Sequence, residues 1–197
     1  MPTTQDASVR DDGLGLGGLL ARGAIGGASA WLVGYLVAYV WKAQAVSESL
    51  RGVGFVSELL GGEAIPAWKG VTWLFLNAHF VATRIPTIAG GTRTTNFVTG
   101  EGGSTLLLAL PALLLVVSGA VAAYGRGGGP LDGAKTGGSV VLGYLPLSTG
   151  AAFLTSHAIG DTQAAISPDP VTAILLAGAV YPLVFGSVGG ALTEIAE

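Results

Sequence analysis

Residues 104–124, STLLLALPALLLVVSGAVAAY, are the stretch that decides the fold class of this chain. A membrane-spanning helix needs about 20 mostly apolar residues, because the hydrocarbon core is ~30 Å thick and a helix rises ~1.5 Å per residue. This stretch meets that length and contains no charged residue. Its residues do not alternate between polar and apolar, as a membrane barrel strand would require. The stretch therefore predicts a transmembrane helix.

Further apolar stretches of similar length lie on both sides of it, at 23–41, 68–88, 137–159 and 171–195. The range 68–88 is the least uniform, because it contains Asn77, His79 and Arg84. Asp169 suits the N-cap of the last helix. The pattern predicts an all-α fold, a polytopic membrane protein with a bundle of about five transmembrane helices. An odd number of spans places the two termini on opposite sides of the membrane.

The composition of the whole chain favours the same class. Of its 197 residues, 50% are hydrophobic and 11% are charged, whereas an average soluble domain has roughly 25% charged residues. The net charge of −3 offers no basic surface for a phosphate backbone, so no nucleic-acid partner is predicted. The absence of cysteine excludes disulfides, thiolate catalysis and iron–sulfur clusters. The lipid bilayer is the predicted partner, and neither a cofactor nor a metal site is predicted.

The predicted domain organisation is simple. Residues 1–18 are polar and glycine-rich, which indicates a flexible N-terminal tail, and residues 19–197 form a single transmembrane domain. The longest connector, 42–67, carries apolar residues near helical spacing at Val46, Leu50, Val53 and Leu60. This connector is either a short amphipathic helix on the membrane surface or a helical extension of the first span.

Polar and ionisable residues within predicted spans are the best candidates for a functional site. Charged side chains at the centre of a membrane helix cost at least ~2.5–3.5 kcal/mol and usually face the bundle interior. Helical spacing places Thr83 one turn after His79 and Asp161 one turn after His157. The candidate intramembrane site therefore consists of Asn77, His79, Thr83, Arg84, His157 and Asp161. The alternative is that Arg84 extends to the interface and that both histidines are hydrogen-bonded structural groups.

Small residues form a stripe along the first span, at Gly23, Gly27, Ala30 and Gly34. Such a stripe lets two helix backbones approach closely in a membrane. It serves either packing within the chain or contact with a second copy or a partner subunit.

The amino-acid usage of the chain is distinctive. Gly, Ala, Thr and Val are frequent, Cys is absent, and Lys is scarce compared with Arg. Together with the five-span layout, these features resemble the uncharacterised multi-pass membrane proteins found in halophilic archaea. The resemblance carries no activity and no functional residue with it. The location predicted for this multi-pass protein is the cell membrane.

The leading functional hypothesis is a small transporter or channel-like protein with a polar site between spans two and four. The alternative is a non-catalytic membrane scaffold or an accessory subunit of a larger membrane complex. An enzyme is the third hypothesis, because Ser118 and His157 lack the further features of an intramembrane protease and no catalytic residue is predicted. The hypotheses differ in whether His79, Arg84, His157 and Asp161 converge on a water-accessible cavity.

Overall fold

The computed structural model describes residues 4–87, 90–100, 104–162 and 164–196. It describes side chains from residue 15 onward, except at residue 16 and the omitted positions. The prediction of a flexible tail at 1–18 therefore falls largely outside the described side chains, although helix α1 begins at Thr4.

Four helical segments in the described part of the chain are long and apolar enough to cross a membrane. They are Gly17–Leu59, Thr105–Ala123, Pro130–Leu154 and Pro170–Ala196. These segments contain the predicted spans 23–41, 104–124 and 171–195 to within a residue or two. The range 137–159 starts later and ends later than the helical segment that it overlaps.

Helix α1, Thr4–Leu59, is much longer than the predicted first span. It continues through most of the connector 42–67, as the second of the two alternatives for that connector proposed. Val46 and Leu50 pack against Gly70 of the following helix, so protein covers their side of the extension.

The predicted second span, 68–88, is wrong. Helix α2 covers only Ala67–Asn77, which is about 16 Å of helix and half the thickness of the hydrocarbon core. A turn follows in which Phe80 has a φ of 62°, an unusual value for a residue with a side chain. The chain then continues as strand β1, Thr83–Pro86.

Four short strands form a sheet that the all-α prediction did not contain. Strand β2 is Thr92–Thr95, β3 is His157–Ala158, and β4 is Ala165–Pro168. The order is β2-β1-β4-β3 and all pairs are antiparallel, with Thr83 opposite both Thr95 and Pro168. Strands of two to four residues are too short to produce a readable alternation in the sequence.

The remaining helices form the bundle. Helix α3, Ala109–Ala123, follows a 3₁₀ turn at Thr105–Leu108. Helices α4, Pro130–Gly138, and α5, Val141–Leu154, follow one another closely. The last segment consists of the short helix α6, Pro170–Thr172, a π-helix at Ala173–Val180, and α7, Tyr181–Ala196. Asp169 is the N-cap of α6 as predicted, and its side chain accepts a hydrogen bond from the Thr172 amide.

Glycines bring the helices of the bundle into close contact. Gly27 of α1 meets the Val140 backbone, Gly119 of α3 meets Gly186 of α7, and Gly133 of α4 meets Gly190 of α7. The predicted stripe takes part in this packing within the chain. Gly23 faces Ser139, Gly34 faces Phe75 and Leu114, and Ala30 is buried.

Two contacts join connectors that would lie on opposite sides of the membrane if the chain crossed it five times. The Lys69 ammonium donates a hydrogen bond to the Ser156 carbonyl oxygen at 2.8 Å. The Asp161 amide donates one to the Leu60 carbonyl oxygen at 3.0 Å. The segments around residues 60–69 and 156–161 therefore lie on the same end of the bundle, which agrees with four crossings and not with five.

Candidate functional site

The six predicted site residues have separate sets of partners in the structure. Asn77 and Thr83 contact each other, His79 contacts Tyr144, Arg84 contacts Asp169, and His157 contacts Lys69. Within the described residues, no hydrogen bond or ring contact joins the two histidines. The six predicted residues therefore do not form one common site.

Asn77 closes the turn between α2 and β1. Its side-chain nitrogen donates hydrogen bonds to the Val81 carbonyl oxygen at 2.7 Å and to the Thr83 hydroxyl at 3.0 Å. Its side-chain oxygen accepts a hydrogen bond from the Phe97 amide at 2.9 Å. The residue is fully buried, so these bonds satisfy an amide that would otherwise be costly to bury. Asn77 thus ends the helix and attaches the segment that follows β2.

His79 lies in the buried turn after α2, against two helices of the bundle. Its Nδ1 is 2.9 Å from the Phe75 carbonyl oxygen, and its Nε2 is 2.7 Å from the Tyr144 hydroxyl. A carbonyl oxygen only accepts, so Nδ1 carries the proton and Nε2 accepts from the tyrosine in the neutral ring. The Tyr181 ring is 4.9 Å away between centroids. The predicted support from Thr83 is absent, because α2 ends at Asn77 and Thr83 binds Asn77.

His157 lies in β3 and contacts the segment around Glu63 and the start of α2. Its Nε2 lies 3.2 Å from the Glu63 carbonyl oxygen, and its Nδ1 lies 3.5 Å from the Lys69 ammonium. The ammonium only donates, so Nδ1 is the acceptor and the Nε2 proton is directed at Glu63. Asp161 is exposed and lies in a turn, since α5 ends at Leu154. The predicted helical pairing of His157 with Asp161 is therefore wrong.

Arg84 and Asp169 form an ion pair between β1 and the start of α6. Burial raises the pKa of the Asp169 carboxyl, but the hydrogen bonds from Thr172 and the contact with Arg84 outweigh this effect. The net pKa of Asp169 lies below its ordinary value. The sequence indicated the capping role of Asp169, while its pairing with a residue 85 positions away carried no local signal.

We expect Asp169→Ala to lower the melting temperature in detergent by about 3 °C, because it removes an N-cap and an ion pair. Asp169→Asn keeps a capping side chain, so its loss is expected to be about 1 °C. The lowered pKa stabilises the fold above the unfolded pKa of about 3.9, and this stabilisation is lost as the pH falls through the folded pKa. The difference in melting temperature between wild type and Asp169→Asn should therefore shrink below pH ~4. Melting curves recorded from pH 7 to pH 3 would measure it. A difference that stays constant over this range would contradict the assigned role.

The surface cavities in the part of the chain that the structure describes include three of about 490, 260 and 250 Å³. None of the six predicted site residues lines any of them. The described residues also contain no cluster of three or more His, Asp or Glu side chains with the arrangement of a metal site. Asn77, His79 and His157 instead bind the protein's own backbone and other side chains.

Comparison with known proteins completes this description. Neither a curated protein nor a solved structure matches the chain. A family model, described as a family of unknown function, matches residues 3–197. This match covers nearly the whole chain, and the protein therefore belongs to the family of unknown function DUF7978.

Proposed function

We propose that this protein is a multi-pass protein of the cell membrane that acts without catalysis, as a scaffold or an accessory subunit of a membrane complex. The four apolar helical segments support the membrane location. Large apolar side chains in these segments point outward, for example Val40 with 79% and Leu113 with 63% of its surface exposed. Such exposure suits lipid, since exposed apolar patches of this extent are rare on soluble monomers. The archaeal resemblance of the composition is compatible with this proposal.

The charges that flank the first crossing support a specific position for the bilayer. Arg22 and Lys42 enclose the uncharged stretch 23–41, and they lie about 30 Å apart along the helix. This distance equals the thickness of the hydrocarbon core. The part of α1 that follows Lys42, together with the four strands, then lies beyond the bilayer on one side.

The hydrogen bonds made by the interior polar groups are the main support for a non-catalytic role. Asn77 and His157 bind main-chain carbonyl oxygens of irregular segments, and His79 binds the Phe75 carbonyl oxygen in the last turn of α2. Backbone outside regular helices must be satisfied within the protein when it is close to the membrane. These side chains provide such hydrogen bonds. A transport pathway would instead need polar groups that line a space open to water.

Reconstituted vesicles provide the test. We expect vesicles that contain the purified protein to hold an imposed proton gradient as long as empty vesicles do, as followed with a pH-sensitive dye. His79→Gln and His157→Ala should leave this leak rate unchanged while lowering the melting temperature. A proton or ion flux above that of empty vesicles, abolished by either variant in a folded protein, would overturn the proposal in favour of the transporter.

A further inference from the structure

Helices α1 and α3 leave an open groove between them, with a volume of about 490 Å³. Its walls are apolar and include Ile25 and Val33 on α1 and Val117 and Val121 on α3. Both helices belong to segments that are apolar and long enough to cross a membrane. Along α1 the groove runs from Arg22 to Val33, which is about 16 Å.

One charged residue lines this groove, and it is a cation at one end. Arg22 is exposed and has no ion pair or hydrogen bond with any other described residue, and the lining residues include no Asp or Glu. Arg22 immediately precedes the uncharged stretch 23–41, so it lies at the level of the headgroups in the proposed membrane position. A guanidinium group binds phosphate oxygens through two parallel N–H donors.

A second observation lies one helical turn deeper. Ser118 lines the groove beside Gly26, but its hydroxyl oxygen is buried and has no hydrogen-bond partner among the described residues. Gly26 follows Arg22 by about 6 Å along the helix axis. The Ser118 hydroxyl is therefore not accessible from the groove, and Arg22 is the group that would hold a polar headgroup.

From these features we infer that the groove between α1 and α3 binds one anionic phospholipid. The Arg22 guanidinium holds the phosphate, and an acyl chain lies along the apolar walls. This inference rests on the membrane location given in the proposed function. A phospholipid is a better occupant than an apolar transmembrane helix, because the one charged residue among the described residues that line the groove is the unpaired cation Arg22.

Native mass spectrometry of the full chain, released from detergent with added dioleoyl lipids, tests the inference. We expect the wild type to retain dioleoylphosphatidylglycerol about five-fold more than dioleoylphosphatidylcholine, as one basic contact predicts. Arg22→Gln should reduce this ratio to about one. The matched control is Arg126→Gln, since Arg126 is exposed in the loop after α3 and lines none of the three cavities. It should leave the ratio unchanged.

A second variant tests the groove itself. Ser29→Phe fills the groove from the exposed side of α1 and should reduce retention of both lipids several-fold without loss of folding. Equal retention of the two lipids by wild type, or equal effects of Arg22→Gln and Arg126→Gln, would overturn the inference. Conversion of an oligomer to a monomer by Ser29→Phe, with lipid retention unchanged, would assign the groove to a partner helix. Alkaline carbonate extraction tests the membrane location separately. A protein that stays with the membrane leaves the location intact even if lipid binding fails, whereas release by carbonate would refute the location itself.

Discussion

Cysteines introduced at Ser8 and Gly128 are expected to react with a membrane-impermeant maleimide from the same side of the membrane, and one at Thr94 from the opposite side. Two crossings, α1 and the segment Thr105–Ala123, separate Ser8 from Gly128. The chain has no cysteine of its own, so each variant reports a single position. The measurement is labelling of sealed, oriented vesicles before and after permeabilisation.

The five-helix prediction gives the opposite result for this pair, because a crossing at 68–88 places Ser8 and Gly128 on different sides. Helix α2 has 11 residues, which is too few to cross. The contacts of Lys69 with Ser156 and of Leu60 with Asp161 also require both connectors on one side. Labelling of Ser8→Cys and Gly128→Cys from opposite sides would refute the four-crossing arrangement.

Gly27→Ala is expected to be among the most damaging single substitutions in the chain. A β-carbon at this position overlaps the carbonyl oxygen of Val140, so a main-chain atom and not a flexible side chain is in the way. Helices α1 and α5 must then separate, which costs about 3 kcal/mol at the upper end of overpacking effects. We expect a melting temperature about 10 °C lower in detergent, with partial aggregation on size-exclusion chromatography.

Gly143→Ala and Gly150→Ala complete this experiment. A β-carbon on Gly143 overlaps the Ala24 carbonyl oxygen across the same interface, so a similar loss is expected. Gly150 also lies in α5, but a β-carbon there meets no atom within 4 Å. Alanine at position 150 should therefore leave the melting temperature unchanged or slightly higher, because it restricts the unfolded chain. Equal sensitivity of Gly27 and Gly150 would contradict the close contact between α1 and α5.

The candidate site shows where inference from the sequence ended. Asn77 and His79 were identified because polar side chains are costly in apolar surroundings, and both are fully buried. Thr83 was predicted as the partner of His79 from helical spacing, which requires the helix to continue past residue 77. The helix stops there, and the partner of His79 is instead Tyr144, 65 residues away. Asn96, which donates to the Asn77 carbonyl oxygen, was not identified, since nothing in its neighbourhood distinguishes it.

The sequence alone determined the properties that depend on a single segment. Length and apolar composition predicted the helical segments Thr105–Ala123 and Pro170–Ala196, because a long apolar helix satisfies its own backbone. The local pattern around Asp169 predicted the N-cap, because the capping bond joins Asp169 to the Thr172 amide in the same segment. The tertiary structure alone decided where α2 ends, because the bond from the Phe97 amide to Asn77 exists only after distant segments meet. It also decided the sheet, since β1 and β4 are short strands whose backbone groups find partners about 80 residues apart.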